Sequence, residues 1–84
     1  MENVAVATDK VAVSLAEAES IAQMLRLEAD HDKAKGYPGM SAVLLQEAIG
    51  IELQMEQLHG PILVRDSWQK LCALRTSLRQ ALGP

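Results

Sequence analysis

The chain predicts an all-α fold, three helices per chain assembling into a helical bundle, and three observations carry that expectation. Its 84 residues contain no Phe, one Tyr and one Trp, so the apolar content is mostly Ala, Leu, Val, Ile and Met. With Gln and Glu added, that composition is rich in helix formers. Two breaks, Gly36-Tyr37-Pro38-Gly39 and Gly60-Pro61, cut the chain into pieces of helical length. Within each piece, apolar residues recur at alternating spacings of three and four, the period of a helix face. The result is a helical hairpin followed by a third helix, one small domain over 1–84, near the size at which a single core becomes marginal.

The first helix is expected over 14–33. Ser14 and Glu17 fit a capping box, the hydroxyl accepting an amide of the first turn and the glutamate reaching back. Leu15, Ala18, Ala22, Leu25 and Ala29 follow at seam spacing, with small residues that permit close approach. The polar run Asp30 to Lys35 should fray it. The second helix is expected over 41–59, from Met40 or Ser41 to His59, and stops at Gly60-Pro61. Its main stripe is Met40, Leu44, Ala48, Ile51, Met55 and Leu58.

The third helix starts at Pro61 or at Asp66 and runs to Leu82, with Asp66 to Gln69 as a second box-like cap. It is expected to bury Val64, Trp68, Leu71, Leu74, Leu78 and Leu82. Arg75 falls inside that arc and needs a carboxylate, for which Glu47, Glu52 and Glu56 are candidates. Residues 1–13 form an N-terminal arm with two readings. Val4 to Val6 and Val11 to Val13 would suit two short strands around Thr8-Asp9-Lys10; the Ala-rich sequence equally suits irregular chain or an extension of the first helix.

The second helix carries a second apolar stripe, Ala42, Leu45, Ile49 and Leu53, well round from the first. Met24 and Leu27 lie roughly opposite the seam of the first helix. A bundle helix that shows one face to water has no use for grease on two sides. Leu45, Ile49 and Leu53, with Met24 and Leu27 as a secondary patch, are therefore expected at an interface, the simplest being a homodimer with the second helix near the two-fold.

Charge narrows the partners. The net −3 combines a balance of −6 over residues 1–56 with +3 over residues 57–84, where Arg65, Lys70, Arg75 and Arg79 outnumber Asp66. An acidic chain argues against nonspecific nucleic-acid binding, while the basic last helix suggests internal or inter-subunit complementarity. One cysteine, Cys72, forms no internal disulfide, which fits a reducing cytoplasm. The N-terminus has no signal-peptide pattern, and no apolar run reaches the roughly 20 residues a membrane span requires.

Chemistry-bearing constellations are weak. Asp30-His31-Asp32 has metal-ligand residue types, but neighbouring side chains diverge, and His59 has Met55 one turn before it. Cys72 lacks a local activating context, and no phosphate-binding glycine loop is present. No enzyme activity, cofactor or metal is expected.

One stretch permits a different function. Lys10-Val-Ala-Val-Ser-Leu15 reads as a strand feeding a helix, with Gly39-Met-Ser41 opening a second helix. That order resembles ribbon-helix-helix regulators, whose paired strands present alternate side chains to the DNA major groove. The resemblance spans about 40 residues and implies that Lys10, Ala12 and Ser14 face DNA while Val11, Val13 and Leu15 face the core. The strand departs from that pattern in having one base and no arginine. The leading expectation is a non-enzymatic protein–protein interaction module, an adaptor, regulator or chaperone-like accessory factor acting as a homo-oligomer; DNA binding through the strand is the alternative.

Overall fold

A strand opens the described fold, in the order β1 (Lys10–Val13), α1 (Leu15–Ala34), α2 (Pro38–Gln57), β2 (Ile62–Arg65) and α3 (Asp66–Leu82). The computed structural model describes residues 9–57 and 60–83. The expectations for Val4 to Val6, Leu58 and His59 lie outside them. The fold is a small helical bundle of three helices with a two-stranded antiparallel ribbon across it. No helix of the described residues is long and apolar enough to cross a membrane.

The capping box forms as read. The Glu17 amide donates to Ser14 Oγ and the Ser14 amide donates to Glu17 Oε1, both at 3.1 Å, so the hydroxyl and the carboxylate satisfy orphan donors of the first turn. At the other end α1 continues through the polar run to Ala34, where fraying was expected. It closes on Gly36 at φ +93°, with the Gly36 amide donating to the Lys33 carbonyl and the Tyr37 amide to that of Asp32. Pro38 then starts α2 three residues before the expected Ser41. Its ring fixes the φ of a first helical residue and its missing amide is one that a helix start leaves unpaired anyway.

Residues 62–65 are a strand rather than the start of a helix. Ile62-Leu63-Val64-Arg65 alternates buried and exposed, and its β-branched residues pair with β1 in the register Lys10↔Arg65, Val11↔Val64, Ala12↔Leu63 and Val13↔Ile62. The strand reading of Lys10 to Val13 holds, and its partner is this later segment of the same chain. Gln54 of α2 holds the far side of β2: its Nε2 donates to the Leu63 carbonyl at 2.9 Å and its Oε1 accepts from the Leu63 amide at 2.8 Å. Because that amide is spent on Gln54, Ala12↔Leu63 is a pair without mutual hydrogen bonds.

The core lies between α1, α2 and the ribbon. Ala18, Ala22, Leu25 and Ala29 of α1 meet Leu44, Ala48 and Ile51 of α2, and Ile62 and Val64 cover one end. Ile21 and Met24 widen the buried arc of α1, because α3 packs on its other flank. Met24, expected in an exposed patch, is therefore buried. Leu15 and Met40, read into the seams, are exposed in the first turns of their helices.

The largest departure concerns α3, in which no residue is fully buried. Val64 is buried, but in the strand, and Trp68 and Cys72 are only partly covered. Asp66 makes no second cap: it is the first helical residue, next to the positive end of the helix dipole, and it pairs with Lys70 at 2.9 Å. Arg75 donates to Glu28 of α1 instead of to an α2 acid, because α3 lies along α1.

Candidate interaction surface

Within the described residues α2 is covered on two sides, and its second apolar stripe lies outside both. One side buries Leu44, Ala48 and Ile51 against α1. A second faces the ribbon and α3, where Glu47 Oε1 accepts from Arg65 Nε at 3.3 Å and from Trp68 Nε1 at 3.1 Å, with Gln54 one further turn along. The remaining side carries Ala42, Leu45, Ile49 and Leu53, all exposed. Its border is fixed by a two-bonded ion pair from Arg26 of α1 to Glu52, at 2.7 and 2.6 Å. The Arg26 guanidinium holds the Glu52 carboxyl below its ordinary range, and Glu52 in turn raises Arg26.

A second apolar stripe lies on α3. Leu71, Leu74, Leu78 and Leu82 are 37%, 56%, 54% and 85% exposed. At 100° per residue these four fall within one 80° arc, beside the Trp68, Cys72 and Arg75 flank that touches α1. Sequence reasoning placed them in the core. Their spacing marks one apolar helix face, and no described residue buries it fully. The spacing holds no signal that separates such a face from a buried one, since the core-facing stripe Leu44, Ala48, Ile51 and Met55 is built from the same steps of three and four.

The other expected site residues are not gathered at one place. Leu27 is exposed, but it lines a shallow groove between α1 and α3 with Cys72, Arg75 and Arg79, away from the outer face of α2. Lys10 and Ala12 are exposed together on β1, with Val11 and Val13 half-buried beneath, as the alternation implied. Ser14 is not on that surface because it caps α1, and Leu15 is exposed instead of turned inward. The ribbon pairs β1 with β2 of the same chain. Opposite Lys10, Arg65 is bound to Asp9 at 2.8 Å as well as to Glu47.

Other concavities offer little chemistry. A groove of about 310 Å³ between α1 and α3 is lined by Glu17, Ser20, Ile21, Gln69, Cys72 and Thr76. Its one carboxylate, Glu17, is held below the usual range by the Ser14 amide and hydroxyl and stays ionised, which suits a cap better than a proton-transfer group. Among the described residues no cluster of three His, Cys, Asp or Glu side chains is placed to hold a metal ion. Compared with protein-family models, with curated proteins and with solved structures, the chain finds no match.

Proposed function

We propose that this chain is a non-enzymatic protein–protein interaction module, an adaptor or accessory factor, that works as a homo-oligomer through the outer face of α2. The observation that carries the reading is the row Leu45, Ile49 and Leu53, exposed on a helix whose main stripe is already buried against α1. Burying one leucine or isoleucine is worth about 1.5–3 kcal/mol, so a contiguous row left in water favours association. The fixed Arg26–Glu52 pair at its edge supplies a polar rim of the kind interfaces have. DNA binding through the ribbon has less support, since Arg65 is engaged by two acids and Ser14 by its helix.

Light scattering over a concentration series, against the 9.1 kDa of one chain, tests the reading. The wild type should assemble, and Ile49→Glu should give a folded monomer by circular dichroism. An oligomer of unchanged mass and stability in Ile49→Glu would remove α2 from the interface, and a wild-type monomer at every concentration would remove self-association.

A further inference from the structure

We propose that the occupant of the α2 outer face is the leucine stripe of α3 from a second copy of this chain, set antiparallel to α2. The inference rests on the self-association proposed above and names the surface that meets α2. The two stripes match in pitch. Each has four apolar residues at spacings of three, four and four, so each runs about 17 Å along its helix.

They are opposite in charge. Beside its stripe α2 carries Glu52 and Glu56 and no base, whereas α3 carries Lys70 and Arg75. Glu47 lies on another side of α2, and Glu52, Lys70 and Arg75 also pair within the chain with Arg26, Asp66 and Glu28. Pairing α2 with α2, or α3 with α3, sets like charges side by side; pairing α2 with α3 sets opposite charges together. The antiparallel sense adds two fits. It opposes the two helix dipoles, and with Leu53 against Leu71 it lays Lys70 between Glu52 and Glu56. In the same register Ala42, the smallest residue of its stripe, meets Leu82, the most exposed leucine of α3.

Each chain then donates one stripe and accepts one. The proposed assembly is a two-fold dimer in which the two contacts are reciprocal and neither stripe faces water. A single like-with-like contact would leave the other pair of stripes exposed.

Charge-swapped variants separate these arrangements. Ile49→Lys puts a base on the α2 stripe, facing the basic α3; Leu74→Glu puts an acid on the α3 stripe, facing the acidic α2. Both positions are exposed, so each variant should keep the wild-type far-ultraviolet spectrum. Alone, each should have the 9.1 kDa mass of one chain by light scattering. Mixed in equal amounts, they should double in mass, because one contact is wild type and the other pairs lysine with glutamate. If Leu74→Glu alone stays assembled, or if the mixture stays monomeric while the wild type assembles, the crossed pairing is wrong and the role of α2 survives; if Ile49→Lys alone stays assembled, both fall. A monomeric wild type overturns both. If one variant unfolds, Leu45→Lys and Leu78→Glu, both exposed and opposed in the same register, replace the pair, and the mixture must again exceed either alone.

Discussion

Two leucines at similar helical spacing should respond very differently to truncation. Leu25 on α1 is fully buried, so Leu25→Ala loses its whole transfer free energy and leaves a cavity between α1 and α2. Comparable core sites cost about 2.7–5.0 kcal/mol. A chain of this length has a total stability of roughly 4–13 kcal/mol, so that change removes a large share of it. Leu74 on α3 is 56% exposed, and its truncation forfeits under half the transfer energy with no cavity, about 1 kcal/mol in the isolated chain. Urea unfolding followed by circular dichroism, at dilute and concentrated protein, measures both, with an unchanged slope as the check on two-state behaviour. The cost of Leu74→Ala should grow with concentration, because an interface contributes only where copies meet. A Leu74→Ala cost equal to that of Leu25→Ala in the dilute monomer would show that the α3 stripe packs inside the chain, and would refute its reading as an interface.

Other perturbations test the parts that position these faces. Gln54→Ala strips both hydrogen bonds from the Leu63 backbone and should destabilise by about 1–3 kcal/mol, with faster amide exchange at Leu63 than elsewhere in the ribbon; slow exchange there would mean the side chain is dispensable. Ser14→Ala should cost about 0.5–2 kcal/mol through the lost cap. Glu17 and Glu52 both have folded-state values below the ordinary 4.5, so their stabilisation is complete above that pH and is lost as pH falls through the folded values. Acid titration of stability should therefore fall off below about pH 4.5, and less steeply in Ser14→Ala; a flat profile through that window would count against both contacts.

Local signals were legible in the sequence, and signals that depend on a distant partner were not. The Ser14–Glu17 box needs only four consecutive residues, and it formed. The alternation at Lys10 to Val13 was readable, but its partner lies about fifty residues on, in a segment whose four residues were too few to separate strand from helix. Gly36 to Gly39 correctly announced a break, yet Pro38 serves both as breaker and as first helical residue, and only the backbone decides between them. Met24 was misread because one wheel assumes one neighbour, whereas α1 has two. The exposure of the α2 stripe was legible because it was a second stripe. That of the α3 stripe was not, because it was its helix's own main stripe, and periodicity does not say how far a face is covered.

The Gln54 clamp has a consequence for how the ribbon meets other strands. A two-stranded sheet has two rims along which further chains can add. Here the rim at Leu63 is sealed by a side-chain amide that imitates a neighbouring strand, so growth from that side would first have to displace Gln54. The outward groups of Ala12 are the ones left to template an incoming strand, in a segment that begins with a lysine. The two rims of the sheet are thus unequal, one closed by a side chain of the same fold and the other bounded by the backbone of β1.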